Sequence, residues 1–122
     1  MEFLRPANMA GKARLDETYP MEYNRIVIEI RETAGYARWF RGLRDGRAKA
    51  KINARIRRMS LGNPGDVKSV GSGVIEMRID YGPGYRVYFA QRGEEIVILL
   101  AGGDKKTQTK DIAHAIELAR RV

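Results

Sequence analysis

The sequence predicts an α+β fold: a curved, mainly antiparallel sheet of four to five strands, with a helical hairpin on one face and a further helix at the C-terminus. Apolar residues alternate at strand spacing near the start of the domain and again, repeatedly, in its second half. Between these regions they recur at helical spacing in two adjacent segments. The predicted order of elements is therefore β-α-α-β-β-β-β-α.

The first half of the domain holds one strand and the helical hairpin. Residues 25–31, with the sequence RIVIEIR, place isoleucines on one side of a strand. Thr33 is a suitable N-cap for a helix whose apolar residues recur at i, i+3, i+4 and i+7. A second helix is predicted over residues 47–61. Because only Asp45-Gly46 separates the two helices, we expect them to pack as an antiparallel hairpin.

Four strands and a helix are predicted in the second half. Glycine-rich turns delimit strands over residues 66–70, 74–81, 85–91 and 95–101. The last of these, EIVILLA, is continuously apolar, which is typical of a strand that is buried on both faces, so it is expected at the centre of the sheet. Residues 107–122 predict the C-terminal helix.

Composition excludes several kinds of chemistry. The 122 residues contain no cysteine and one histidine, which excludes disulfides, thiolate catalysis and any mechanism that needs two imidazoles from this chain. That histidine, His114, is expected on the surface. No apolar run reaches the roughly 18 residues of a membrane span. A net charge of +8 predicts an anionic partner, above all nucleic acid. We expect a cytoplasmic protein with no membrane partner, no cofactor and no metal.

Residues 1–24 differ from the rest of the chain. They show neither helical nor strand periodicity, and prolines and glycine interrupt them. We expect residues 1–24 to form a flexible N-terminal arm and residues 25–122 to form the folded domain. The alternative is that the arm binds phosphate.

A cluster of cations and one aromatic ring forms the candidate site. Strand alternation places Arg78 and Arg86 on the non-core side of two adjacent strands, where facing residues lie about 5 Å apart and the two guanidiniums can converge on one anion. Lys105 and Lys106 follow the predicted central strand and can reach the same area. Tyr88 adds a ring that can stack on a base or donate its hydroxyl. The alternative is a solvated face on which Arg78 pairs with Glu76 or Asp80, which alternation places outward on the same strand.

The second predicted helix is basic. No acidic residue occurs between Arg47 and Arg58, a distribution that suits a nucleic-acid surface as well as simple solvation. The candidate RNA-binding residues on this helix are Lys49, Lys51, Arg55 and Arg58.

Three motifs carry a family resemblance. The run LGNPGDVKSVGSGVIEMRIDYGPGYRVYF, followed by EIVILLAGGDKKTQTKDIAHAIELA, closely resembles the addiction-module killer proteins, a HigB-like branch of the RelE/ParE toxin superfamily. The upstream helical hairpin resembles the same family. The resemblance implies a RelE/ParE-like fold and the toxin of a type II toxin–antitoxin system. Many relatives are ribosome-dependent endoribonucleases that cleave mRNA without a metal. The cleavage of mRNA inhibits translation.

The resemblance also implies roles for individual residues. Arg86 matches the family's phosphate-binding arginine, Arg78 matches a strand lysine, and Lys105 falls where relatives carry a further basic residue. With Tyr88, these residues are the predicted catalytic set.

Some positions depart from the ribonuclease pattern. Glu76 stands where the best-known ribonucleases have lysine, and a carboxylate there would repel phosphate. Asp111 lies near the position of a catalytic tyrosine on the last segment, for which Tyr88 is a candidate substitute presented from a different strand. Lys106 and Gln108 are predicted to contact RNA, although Gln108 can instead cap the last helix.

The resemblance implies partners as well. We expect a cognate antitoxin, encoded beside the toxin and of helix-turn-helix type, and contact with mRNA and the ribosome. Operator DNA is expected to be bound only through the antitoxin. One alternative is a ParE-like inhibitor of DNA gyrase without nuclease activity. Another is a nucleic-acid-binding module without toxicity.

Overall fold

The computed structural model of the chain describes residues 4–6 and 27–122. This part of the chain forms an α+β fold, as the sequence predicts. The strands are β1 (Arg5–Pro6), β2 (Glu29–Glu32), β3 (Val67–Gly71), β4 (Val74–Ile79), β5 (Tyr85–Arg92) and β6 (Ile96–Gly103). The helices are α1 (Ala34–Gly42), α2 (Gly46–Ser60) and α3 (Gln108–Ala119), and a 3₁₀ turn, Lys105–Thr107, precedes α3.

The six strands form one sheet in the order β1-β2-β6-β5-β4-β3. All neighbours are antiparallel except β2 and β6, which are parallel. Strand β6 lies inside the sheet, and its residues 97–101 are buried. The continuous apolar run therefore marks a strand covered on both faces, and the prediction of its central position is confirmed.

The element order after β1 matches the prediction, with differences at the N-terminal end. Strand β2 begins at Glu29, whereas the sequence predicts a strand from residue 25. Most of the predicted arm, residues 1–24, lies outside the described residues. Within it, β1 adds a two-residue strand that pairs with Arg31 and Glu32 of β2.

Strand alternation divides the core into two layers. On one face, Met77, Val87 and Leu99 pack with the isoleucines of α2. On the other face, Val74, Tyr88 and Leu100 pack against α3. The hairpin of α1 and α2 therefore covers one face of the sheet, and α3 covers part of the opposite one. Among the described helices, none combines the length and apolarity that a membrane crossing requires.

Thr33 connects β2 and α1 to the central strand, β6. Its hydroxyl accepts from the backbone N–H of Tyr36 at 3.0 Å, which caps α1, and donates to the Leu100 carbonyl at 2.7 Å. Its own backbone N–H donates to the Leu99 carbonyl at 3.0 Å. Because Thr33 is completely buried, these bonds satisfy polar groups that water cannot reach.

Two glycines let both helical layers approach the end of β6. A Cβ on Gly102 would overlap the ring of Trp39 from α1, and a Cβ on Gly103 would overlap the carboxylate of Asp111 from α3. Because these two residues have no side chains, α1 and α3 can both pack closely against the end of β6, just before the 3₁₀ turn.

We expect Gly102→Ala to lower the free energy of unfolding by about 1–3 kcal/mol, because the new methyl group displaces the indole of Trp39. Gly42→Ala is the matched control. Gly42 ends α1 with open space around its Cβ position, so its replacement should change stability by less than about 1 kcal/mol. Urea unfolding of both variants measures the difference, and equal effects would contradict the close approach.

Candidate functional site

A polar cleft of about 520 Å³ lies at the end of the sheet where β4 turns into β5. Three of the four predicted catalytic residues, Arg78, Arg86 and Lys105, line it together. The other lining residues are Asp66, Ile79, Asp80, Gly82, Pro83 and Gly84. A volume of this size is in the range of small-molecule sites.

Strand register brings the three cations together. Arg78 of β4 faces Arg86 of β5, and Arg86 in turn faces Gly103 at the end of β6. Lys105 follows two residues later, in the 3₁₀ turn. Gly84, at a φ of +81°, lies between them: a Cβ there would be 3.4 Å from both Arg86 Nη1 and Lys105 Cβ. Glycine at this position allows the turn conformation and leaves room for both side chains.

Arg86 is the most firmly held of these cations. Its side chain is 13% exposed, and its Nη1 donates to the carbonyls of Gly84 at 3.0 Å and Tyr85 at 3.3 Å. Its Nε lies 3.9 Å from Oε1 of Glu76, too far for a hydrogen bond but close enough for an ion pair. The guanidinium is thus fixed at the cleft by backbone carbonyls and a carboxylate.

Arg78 and Lys105 are more accessible. Arg78 pairs with Asp66 at 2.9 Å, and the two side chains are 41% and 57% exposed. Arg78 therefore does pair with an acid, but the partner is Asp66 and not the Glu76 or Asp80 of the sequence-based alternative. An exposed ion pair contributes only about 0–1 kcal/mol, so a phosphate can compete for Arg78. Lys105 is exposed, and within residues 4–6 and 27–122 its ammonium forms no ion pair.

Glu76 differs from the expectation of an outward acid. Alternation does place it opposite Met77, on the face of Arg78, but α3 covers that part of the face and Glu76 is completely buried. Its Oε2 accepts from the Tyr88 hydroxyl at 3.1 Å and from Gln108 Nε2 at 2.7 Å. Gln108 therefore contacts Glu76; the cap before α3 comes instead from Asp104, which accepts from the backbone of the 3₁₀ turn.

The structure also differs from the expectation for Tyr88. Its ring is completely buried beneath α3, so no face is available for stacking on a base. Burial, reinforced by the negative charge of Glu76, raises the pKa of the Tyr88 hydroxyl well above its usual range, and the hydroxyl stays a hydrogen-bond donor. Asp111 accepts a hydrogen bond from Thr107 Oγ1 and packs against Gly103.

A match to a protein-family model shows to which family this chain belongs. The model described as "Phage derived protein Gp49-like (DUF891)" matches residues 38–122. The chain belongs to the Gp49-like family. This family is toxin-like and related to the toxins of addiction modules. An uncharacterized protein of Haemophilus influenzae is 52% identical over 97 residues, covering 80% of this chain and 98% of that protein. No solved structure matches.

One predicted RNA-binding residue of this Gp49-like protein, Arg55, forms hydrogen bonds within the fold. Arg55 is half-buried, and its guanidinium donates to the carbonyls of Arg78 at 2.7 Å, Pro64 at 3.0 Å and Asp66 at 3.2 Å. A Cβ on Gly65 would lie 2.9 Å from Arg55 Nη2, so glycine makes room for it. Arg55 thereby joins α2 to the segment that carries Asp66 and to the strand that carries Arg78.

The other basic residues of α2 lie away from the cleft. Arg58 is exposed, Lys49 Nζ lies 5.6 Å from the ring centroid of Phe40, and Lys51 Nζ lies 5.3 Å from that of Tyr81. Since α2 packs on the opposite face of the sheet from Arg78 and Arg86, these cations and the cleft form two separate basic surfaces. Lys106 is exposed beside Lys105, next to the cleft.

Sequence reasoning missed one acidic member of the site. The sequence pattern places Asp66 only at the start of a strand, yet Asp66 reaches Arg78 because its carbonyl accepts from the backbone N–H of Arg78 at 3.0 Å. Asp80, which alternation places outward with Arg78, follows the last residue of β4 and lines the cleft.

We expect Arg55→Ala to lower the free energy of unfolding by about 1–3 kcal/mol, since three carbonyl groups lose a charged donor. Arg58→Ala removes the same charge from an exposed position of the same helix and should change stability by less than about 0.5 kcal/mol. Thermal unfolding of the two variants tests this. A harmless Arg55→Ala would mean that Arg55 belongs with the exposed cations after all.

Proposed function

We propose that this Gp49-like protein is the toxin of a type II toxin–antitoxin pair, a HigB-like member of the RelE/ParE superfamily that cleaves mRNA on the ribosome and so inhibits translation. The observation that carries the proposal is the convergence of Arg78, Arg86 and Lys105 on one cleft. The family's relationship to addiction-module toxins supports it.

The proposed reaction is a transesterification. The ribose 2′-OH attacks the adjacent phosphorus, the bond to the 5′-oxygen of the next nucleotide breaks, and a 2′,3′-cyclic phosphate forms. Negative charge grows on the phosphoryl oxygens in the transition state. Cations already positioned there stabilise that charge without reorganising, usually the largest single contribution to catalysis. Arg86 suits this role because its guanidinium is fixed at the cleft and keeps its charge at every relevant pH. Lys105 supplies a second charge, and Arg78 an auxiliary one.

The attacking hydroxyl must lose its proton. Two carboxylates line the cleft, and Asp66 is engaged with Arg78. Asp80 is exposed and, within the described part of the chain, forms no ion pair, so we assign it as proton acceptor in place of Tyr88, whose hydroxyl is buried and protonated. The proton leaves the 2′-OH for Asp80, and the 5′-oxygen is protonated from solvent.

Partners follow from the two basic surfaces. Lys106, exposed next to Lys105, extends the cationic rim of the cleft toward the RNA backbone, and Gln108 is a further RNA contact in this proposal. We propose that the α2 surface of Lys49, Lys51 and Arg58 attracts ribosomal RNA. In the inactive pair, an acidic segment of the antitoxin would cover that surface, with operator DNA bound only by the antitoxin. Such contacts weaken as salt rises.

A second candidate function is inhibition of DNA gyrase in the manner of ParE. The observation that favours it is Glu76, whose buried carboxylate offsets part of the charge of Arg86. The burial of Tyr88 favours it as well, because a ribonuclease tyrosine would have to reach substrate.

We expect Arg86→Gln to reduce RNA cleavage about 10²- to 10³-fold and to abolish growth arrest on expression, because the main phosphate cation is lost. Arg120→Gln is the control, since Arg120 is 71% exposed at the far end of α3. Should Arg86→Gln leave Glu76 uncompensated and unfold the protein, the double variant with Glu76→Gln removes both charges, so that neither is left buried without its partner.

The readouts separate the two candidate functions. Primer extension on cellular transcripts detects cleavage, and a supercoiling assay detects gyrase inhibition. Intact transcripts together with inhibited supercoiling would replace the nuclease by the gyrase inhibitor, and a folded but fully toxic Arg86→Gln would exclude this cleft from either activity.

We expect Asp80→Asn to lower kcat for RNA cleavage by about 10²-fold or more while KM changes little, because the amide cannot accept the proton. Asp66→Asn removes the same charge from the same cleft without removing the base, so its kcat should stay within about threefold of the parent. Single-turnover cleavage across a pH series measures both. Equal losses in the two variants would reduce Asp80 to an electrostatic contributor.

A further inference from the structure

A completely buried carboxylate lies directly behind the principal cation of the cleft. Glu76 Oε1 and Arg86 Nε are 3.9 Å apart. Both atoms are buried, and neither has a hydrogen-bond partner among the described residues. The two groups therefore interact through their charges, at a separation greater than that of a hydrogen bond.

The carboxyl group is held in place from two sides. Two donors, the Tyr88 hydroxyl and the Gln108 amide, converge on its Oε2, and the guanidinium of Arg86 faces its Oε1 as the opposite charge of an ion pair. Tyr88 is immobilised beneath α3, and Gln108 is the first residue of that helix. Helix α3 thus fixes one unit of negative charge under the floor of the cleft.

Stability does not explain this arrangement. Burying an ion pair costs about as much solvation as its attraction returns, and apolar residues of the same volume stabilise a core at least as well. An anion beneath Arg86 has two effects on the cleft itself. It attracts the guanidinium into one orientation, in which Nη1 rests on the Gly84 and Tyr85 carbonyls. It also reduces the positive potential that a bound anion experiences.

We propose that Glu76 is a positioning residue for Arg86, a fixed counter-ion that orients the guanidinium and lowers the affinity of the cleft for small phosphate anions. This inference rests on the proposed function, because it takes the cleft as a phosphate site. It adds that the site selects an RNA chain over small phosphate anions. Free phosphate and nucleotides then bind weakly, and an RNA chain binds through the further contacts that its length allows.

Titration of the full chain with inorganic phosphate tests this without requiring cleavage. Replacing Glu76 by glutamine keeps the shape and one acceptor oxygen for Tyr88 and Gln108 but removes the repulsion, so Glu76→Gln should bind phosphate roughly three- to thirtyfold more tightly than the parent. A purely structural role would weaken binding or leave it unchanged, and either result in a folded variant overturns the proposal. Glu117→Gln is the matched control. It removes a carboxylate from an exposed position of α3 that does not line the cleft and should alter phosphate affinity less than about threefold.

The parent protein supplies a second measurement if Glu76→Gln does not fold. The Nε–H of Arg86 and the side-chain amide of Gln108 both adjoin Glu76, so both NMR resonances should shift together as phosphate is added. An Arg86 resonance that does not respond overturns the proposal. RNA cleavage is then measured separately: with Glu76→Gln, KM should fall and kcat should fall as well, because Arg86 loses its orientation. Tighter phosphate binding in a protein that cuts no RNA would remove the proposed nuclease function and leave this inference standing.

Discussion

The pairing of β4 with β5 constrains everything at the cleft. Every second residue of each strand packs against the helical hairpin, with Met77, Ile79, Val87 and Phe89 among them. A slip of one residue would turn those side chains toward α3 and place charged groups in the apolar layer, which makes the register costly to change. With the register fixed, Arg78 has to face Arg86 on the opposite side of the sheet. The hydrophobic layer thereby sets the spacing of the cations.

The end of β6 brings the third cation to the same place. Here the constraint is steric, since Gly102 lies under the indole of Trp39 and Gly103 under Asp111. Both helical layers pack against the two glycines that end the strand, and the chain continues directly into the 3₁₀ turn that carries Lys105. The glycine pair connects core packing to the position of a functional side chain, although neither glycine touches the cleft.

Local periodicity made much of the fold predictable. The strands, the hairpin of helices and the central position of β6 follow from spacing and from turn residues, and the shared face of Arg78 and Arg86 follows from alternation alone. Alternation assigns a residue to a face but does not tell whether another element covers it there. Glu76 and Tyr88 were placed on the correct face and expected in solvent, yet α3 buries both.

Arg55 shows the same limit for helices. Its spacing on α2 is that of an exposed cation, but its guanidinium reaches three carbonyls of segments that follow α2 in the chain. Such partners are distant in sequence and consist of backbone groups, which every residue carries, so no residue pattern identifies them. The candidate cations could therefore be named from sequence, whereas their counter-ions and the residues that hold them required the fold.

The two counter-ions of the cleft differ in a way that divides the roles of its arginines. Asp66 and Arg78 meet in solvent, where salt and water screen their attraction within about 8–10 Å, and either partner can exchange for another ion at little cost. Glu76 and Arg86 meet where water is excluded, so their attraction is stronger and neither can leave without exposing a buried charge. A phosphate group entering the cleft can therefore take Arg78 from Asp66, but it has to share Arg86 with Glu76. Arg78 can change its position to bind a ligand, whereas a ligand has to bind Arg86 in the position in which Arg86 is fixed.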